Sequence, residues 1–99
     1  MDHMITERDG TVTVMLKGEI DLECSSAMRD VLLDGLSRCR AMVVDMSGVS
    51  LIDSSGVAGL LEALQEARKK GRRFSLAAVN EPVMKVFRLA RLETIFPFV

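Results

Sequence analysis

Segments with the pattern of strands alternate with segments with the pattern of helices along the whole sequence. Residues 11–17 alternate apolar and polar side chains, as in a half-buried strand, whereas residues 23–38 carry apolar side chains three and four positions apart, as on one face of a helix. The run at 42–44 is short and continuously apolar, which is typical of a strand buried on both faces. Strands that alternate with helices form a mixed, mostly parallel sheet with helices packed on it. The expected fold class is therefore α/β.

The expected order of elements is β-β-α-β-α-β-α-β, in one domain that covers residues 1–99. The Asp-Gly pair at 9–10 predicts a hairpin turn, and residues 18–21 and 47–50 are expected to interrupt the strand pattern. Gly71 is expected to end the second helix, and Asn80 to cap the third. Strands are expected at 5–8, 11–17, 42–45, 74–79 and 95–99, and helices at 23–38, at 54–70 and from residue 80 onward.

The composition is that of a soluble globular domain, with 48% hydrophobic and 27% charged residues. Thirteen basic and fourteen acidic side chains leave a net charge of −1, which argues against nucleic acid as the main partner. No apolar run approaches the roughly 20 residues that cross a bilayer, and the N-terminus lacks the features of a secretory signal. Contact with a membrane is therefore not expected, and a monomer is the expected state.

The two cysteines, Cys24 and Cys39, are expected to be free thiols. If both lie on one helix, a rise of roughly 1.5 Å per residue places them about 22 Å apart, too far for a disulfide. Free thiols in a chain without an export signal point to the cytoplasm. The only histidine, His3, lies near the N-terminus, so no metal site and no cofactor are expected.

The segment Asp-Ser-Ser-Gly at 53–56 lies where an apolar strand gives way to a helix. Oxygens of Asp and Ser side chains satisfy the unpaired N–H groups at a helix start, so capping alone is one explanation. A helix start also tolerates an anion, because its free N–H groups and the positive end of the dipole favour negative charge. A phosphate there would add about −1.5 to −2 charges and repel a partner fitted to a neutral hydroxyl. The segment is therefore a candidate binding switch that needs no refolding.

Three small residues, Gly56, Gly59 and Ala63, lie close together on a helical wheel at the edge of the apolar stripe. Two explanations remain open. Small side chains would let a partner backbone or helix approach closely, which makes this edge a candidate docking surface. They equally suit tight packing of the helix on its own sheet.

An enzymatic role is not expected. A serine nucleophile needs a general base, normally a histidine held by a carboxylate, and His3 is in no position to act as one. The sequence has no glycine-rich phosphate loop. The basic run at 68–73 follows a helix, where the dipole and unpaired carbonyls favour cations, so it is not expected to bind nucleic acid.

Three segments carry a resemblance to a known family. They are Gly-Glu-Ile-Asp at 18–21, Met-Val-Val-Asp at 42–45 followed by Ile-Asp-Ser-Ser-Gly at 52–56, and Asn-Glu-Pro-Val-Met-Lys-Val-Phe at 80–87. With them the sequence resembles the STAS family, specifically the bacterial anti-sigma-factor antagonists of sporulation and stress control. Two departures stand out: Ala58 replaces a glycine that is frequent in the family, and the sequence ends at Val99, where many relatives continue into a final helix. The member is either minimal or part of a longer chain.

The resemblance implies that Ser54 is the phosphoacceptor, with Ser55 as the second choice. A serine kinase of the anti-sigma-factor type would phosphorylate it with ATP, and a metal-dependent phosphatase of the PP2C type would reverse the reaction. The unphosphorylated protein would bind the kinase and so release the sigma factor. Asp53 would position the loop, and Asp21 would lie nearby on the same rim.

A second function remains open within the same family. A STAS module can serve as a non-switching subunit or adaptor of a transporter or lipid-trafficking complex, with Ser54 only capping its helix. The two functions differ in one requirement, because only a switch needs a phosphorylatable hydroxyl at position 54 or 55.

Overall fold

The computed structural model describes residues 1–99, which form one four-stranded sheet and three helices. The strands lie in the order β1-β2-β3-β4, with β1 antiparallel to β2 and with β2, β3 and β4 parallel. The expected α/β class with a mixed, mostly parallel sheet is thus confirmed. The elements are β1 (Asp2–Arg8), β2 (Thr11–Ile20), α1 (Leu22–Leu36), β3 (Ala41–Ile52), α2 (Ser54–Lys69), β4 (Arg73–Ala77) and α3 (Glu81–Leu89).

The core lies between one face of the sheet and the helices. On β2, Val12, Val14 and Leu16 are at most 2% exposed and alternate with less buried residues, and Ile20 at the end of the strand is also buried. Leu32 of α1 and Leu60 of α2 are fully buried in the same hydrophobic cluster. Burial of such side chains stabilises a domain by roughly 1.5–3 kcal/mol each. None of the three helices is both long enough and apolar enough to cross a bilayer.

The hairpin turn at Asp9 and Gly10 forms as expected. Both residues have positive φ angles, +52° and +82°, which is the backbone of a type I′ turn and matches the twist of the flanking strands. The expected first strand is longer than its apolar pattern indicated, since pairing runs from Arg8 back to Asp2.

The loop expected at 47–50 is wrong, because β3 continues without a break to Ile52. Its partner β2 also continues, through Gly18 at φ +96° to Ile20, and the two strands stay paired across two register shifts. Each shift disturbs the alternation of buried and exposed residues, so the pattern no longer indicated a strand.

The edge strand expected at 95–99 is also wrong. This segment makes one isolated bridge, between Leu76 and Phe98. Two backbone hydrogen bonds tie it to Leu76, and the rings of Phe96 and Phe98 meet Phe87 of α3 edge-on, at centroid distances of 5.2 and 5.6 Å. The strand expected at 74–79 ends early, at Ala77, because Ala78 has a φ of +57° that does not continue a strand.

Helix α1 ends at Leu36, so Cys39 lies beyond it and the premise that both cysteines share a helix is wrong. Both thiols are nevertheless free. Cys39 is buried, and burial is the main cause that raises the pKa of its thiol.

Candidate functional site

Two helices begin side by side at one edge of the sheet. The last residues of β2 and β3, Ile20 and Ile52, are paired, and the amide of Asp53 donates to the carbonyl of Ile20 at 3.1 Å. The next residue of each strand is an aspartate that caps a helix: Asp21 caps α1, and Asp53 caps α2. The two carboxylates therefore share a rim at the carboxyl ends of parallel strands, a common place for ligand and partner contacts in α/β folds.

Asp53 organises the start of α2. Its Oδ1 accepts a hydrogen bond from the amide of Gly56 at 3.0 Å and another from the hydroxyl of Ser55 at 2.5 Å. The Ser55 hydroxyl, and after it the Gly56 amide, hold the pKa of the Asp53 carboxyl below its ordinary value. The backbone amide of Leu22, the first residue of α1, lowers the pKa of the Asp53 carboxyl in the same direction.

Asp21 organises the start of α1 in a similar way. Its Oδ1 accepts hydrogen bonds from the amides of Glu23 and Cys24 at 3.0 and 3.3 Å. In return, the amide of Asp21 donates to the sulfur of Cys24 at 3.3 Å, which completes a capping box. The side chain of Asp21 itself is exposed.

The two serines after Asp53 are not equivalent. Ser55 is half-buried and its hydroxyl is engaged by Asp53. Ser54 is the first residue of α2, is exposed, and has no hydrogen bond from its hydroxyl to the rest of the chain. Of the two, Ser54 presents the more accessible oxygen.

An apolar groove opens beside Ser54, between α2 and α3. It has a volume of about 400 Å³, and Leu89 on its wall is 77% exposed. Its remaining lining residues are Val57, Ala58, Leu61, Val86, Ala90 and Leu92. Sequence analysis missed this groove because its two walls are distant in sequence. The available signal was Leu89, an apolar residue outside the buried stripe of α3.

Two further exposed leucines lie on the rim. Leu22, the first residue of α1, is 75% exposed, and Leu51, near the end of β3, is 56% exposed. Exposed leucines around concentrated polar groups are typical of protein interaction surfaces. We call Asp21, Leu22, Leu51, Asp53, Ser54 and the groove together the rim surface.

The three small residues of α2 lie against other parts of the chain. Gly56, Gly59 and Ala63 are all buried inside the molecule. A Cβ added at Gly56 would lie 2.7 Å from Cγ1 of Ile52, and one at Gly59 would lie 2.8 Å from Cε of Met28 in α1. Gly56 thus packs against the strand ends and Gly59 against α1, which favours tight internal packing over contact with a partner.

Comparisons with known proteins agree with this architecture. An anti-sigma F factor antagonist of Paenibacillus polymyxa is 28% identical over 90 residues, which is 89% of this chain and 77% of that protein. The intermembrane phospholipid transport system binding protein MlaB of Escherichia coli K12 is 34% identical over 83 residues, 81% of this chain and 77% of MlaB.

A crystal structure of an anti-sigma factor antagonist from Mycobacterium paratuberculosis superposes with a TM-score of 0.88. It covers 98% of this chain and 83% of its own, at 23% identity, and so supports the fold alone. A family model described as "Mlab, STAS domain" matches residues 3–98. The chain therefore belongs to the STAS domain family, and it is a binding protein rather than an enzyme.

Proposed function

We propose that this protein is an anti-sigma-factor antagonist controlled by phosphorylation of Ser54. Unphosphorylated, it binds an anti-sigma serine kinase in the cytoplasm through the rim surface, and the phosphate ends that complex. The observation that carries the proposal is the exposed, unbonded hydroxyl of Ser54 at the first position of α2. The similarity to the Paenibacillus polymyxa antagonist supports it.

The position of Ser54 suits a reversible charge switch. A phosphate at the start of α2 meets the positive end of the helix dipole, so it does not disturb the helix. The hydrogen bonds that shape this helix start are donated to Asp53 by the Ser55 hydroxyl and the Gly56 amide, and modification of Ser54 leaves them in place. The fold can therefore persist in both states.

The surroundings of Ser54 make the added charge costly for a bound partner. The groove beside it is apolar, and the carboxylate of Asp53, ionised at neutral pH, precedes it directly. A kinase that covers the groove must remove the water around residue 54. This desolvation costs far more free energy for a phosphate dianion than for a hydroxyl. A phosphatase of the PP2C type would restore binding.

The acceptor assignment is tested with candidate anti-sigma serine kinases and ATP, read as phosphate uptake by mass spectrometry. We expect one phosphate on the wild type and on Ser55→Ala, and none on Ser54→Ala. Ser54→Asp is expected to weaken the kinase complex and to leave the melting temperature nearly unchanged. Phosphate uptake by Ser54→Ala that is lost in Ser55→Ala would move the acceptor to Ser55.

A second candidate function is a constant binding subunit of a phospholipid transport system. It is favoured by the 34% identity to MlaB. In this case the rim surface holds its partner permanently, and Ser54 only begins a helix. Affinity purification from the native host separates the two: a transport complex retained equally by wild type and Ser54→Asp supports the second function, whereas a kinase lost from Ser54→Asp supports the first.

A further inference from the structure

A pocket of about 540 Å³ lies at the opposite end of the sheet from Ser54. It is formed by the hairpin turn, the starts of β3 and β4, and the end of α2. Four of its nine lining residues are cations, and Asp9 is the one acidic residue among them. We call it the basic pocket. Its cations are Arg40, Lys70, Arg72 and Arg73.

The backbone holds three of these cations close together. The amide of Arg40 donates to the carbonyl of Gly10 at 2.9 Å, and the amide of Arg73 donates to the carbonyl of Arg40 at 3.1 Å. Arg72 precedes Arg73 directly. The side chains of these three arginines therefore begin at fixed, neighbouring backbone positions. The fold thus keeps three positive charges in one region despite their mutual repulsion.

These arginines lack acidic partners. None of Arg40, Arg72 and Arg73 forms a salt bridge, and the carboxylate of Asp9 lies 4.0 Å from Arg8 instead. Arg40 and Arg72 donate to backbone carbonyls. The Nε of Arg72 is buried and has no hydrogen-bond partner, which is a costly state for a charged donor.

The helix dipole does not account for this cluster. Cations attracted by the end of α2 would contact its last carbonyls, but those carbonyls are bonded by backbone amides: the amide of Lys70 donates to Glu66, that of Gly71 to Arg68, and that of Arg72 to Ala67. The side chains of Arg40 and Arg72 donate elsewhere, to the carbonyls of Asp9 and Cys39.

We propose that the basic pocket is a binding site for a phosphate-bearing ligand, with Arg40, Arg72 and Arg73 as its anion-binding groups. Guanidinium groups bind phosphate oxygens in pairs of parallel hydrogen bonds, and several of them around one volume select a multiply charged anion. The pocket is larger than a single phosphate requires, and its volume, though not its polar lining, is in the range of sites for small ligands. The ligand is thus a diphosphate-like group, free in solution or carried on a lipid. This site is independent of the proposed function of Ser54.

Two probes test the proposal and separate the two sources. Inorganic pyrophosphate is titrated while the backbone amides of Gly10 and Gly71 are followed by NMR, and vesicles that contain cardiolipin, a lipid with two phosphates, are used in a co-sedimentation assay. Saturable shifts with pyrophosphate indicate a soluble ligand, and co-sedimentation alone indicates a lipid headgroup. Absence of both responses overturns the proposal.

Matched variants show whether the response belongs to this pocket. We expect Arg73→Gln to weaken binding roughly tenfold, and the triple variant Arg40→Gln, Arg72→Gln, Arg73→Gln to abolish it. The control replaces Lys17, Lys85 and Arg91 with Gln, which changes the net charge equally at distant exposed sites. Equal weakening by the control overturns the proposal. Arg73 is exposed and unpaired, so its single variant tests the site even if the triple variant does not fold.

Discussion

Asp53 shapes the start of α2 through bonds that depend on its ionisation. The Ser55 hydroxyl and the Gly56 amide donate to it and lower its pKa, so the folded protein binds the proton of this carboxyl more weakly than the unfolded chain does. For a lowered pKa, the stabilisation is complete above the ordinary pKa of the carboxyl and disappears as the pH falls through the lowered value.

Replacing Asp53 with Asn tests this linkage. The amide oxygen of Asn still caps a helix, but it does not titrate. We expect acidification below the ordinary pKa of an aspartate to lower the melting temperature of the wild type more than that of Asp53→Asn. Asp2→Asn, an equal charge change on exposed β1, serves as the control. Identical acid dependence in all three proteins would contradict the assignment.

At the scale of whole elements, α2 meets the ends of β2 and β3 through Gly56. A Cβ there would lie 2.7 Å from Ile52 and 2.8 Å from Ile20, two stiff, branched side chains. At Gly59 the nearest atom is instead the flexible end of Met28. The two glycines of one helix therefore differ in how well they accept a methyl group.

Substitution of each glycine by alanine makes this difference measurable. Overpacking costs about 1–3 kcal/mol, and the better helix propensity of alanine returns about 1 kcal/mol. We expect Gly56→Ala to lower the free energy of unfolding, and Gly59→Ala to leave it nearly unchanged or raise it, in urea titrations. Equal losses at both positions would show that Met28 is as rigid as the isoleucines.

Asn80 joins α3 to the sheet. Its Oδ1 accepts from the amide of Val83 at 3.0 Å, and its Nδ2 donates to the carbonyl of Val49 at 2.8 Å. We expect Asn80→Ala to destabilise the protein by about 1–2 kcal/mol, since it loses a helix cap and the bond to β3. Asn80→Ser keeps a capping oxygen and loses the bond to Val49, so its loss should be smaller. Faster hydrogen exchange at the Val83 amide would show directly that the cap is lost.

At the scale of the whole molecule, the two proposed binding surfaces lie at opposite ends of the sheet. Carboxylates and exposed leucines gather at the carboxyl ends of the strands, whereas unpaired arginines gather at the amino ends of β3 and β4. The net charge of −1 conceals this separation, because it is the sum over all 13 basic and 14 acidic residues of the chain. The composition therefore predicts the near-neutral net charge of the chain, but it indicates neither of the two surfaces.

The groove joins α2, α3 and Ser54 in one surface. A substitution of Leu89 tests whether this surface binds the kinase. Leu89→Gln removes exposed apolar area, so we expect at least roughly tenfold weaker binding of the kinase with an unchanged melting temperature. Met4→Gln, a similar exchange at a residue 59% exposed on β1, serves as the control. Unchanged kinase affinity in Leu89→Gln would exclude the groove from the interface.

Local patterns predicted much of this fold, and long-range contacts account for what they missed. The turn at Asp9, the cap at Asn80 and the start of α2 depend on neighbouring residues, so the sequence indicated each of them. The extension of β3 depends on shifted pairing with β2, and the burial of Gly56 depends on Ile20 and Ile52. The groove and the basic pocket join segments that are far apart in the chain, which no periodicity reveals.

The side-chain hydrogen bonds that form the start of α2 do not involve the side chain of residue 54. A single mutation can therefore replace the serine with another residue. Such a change should alter the stability of the fold very little, so selection for stability does not oppose it. Regulation at this position can be acquired or lost while the scaffold is inherited intact. Two related proteins can thus differ by a single codon, one with a phosphorylatable residue at position 54 and the other without one.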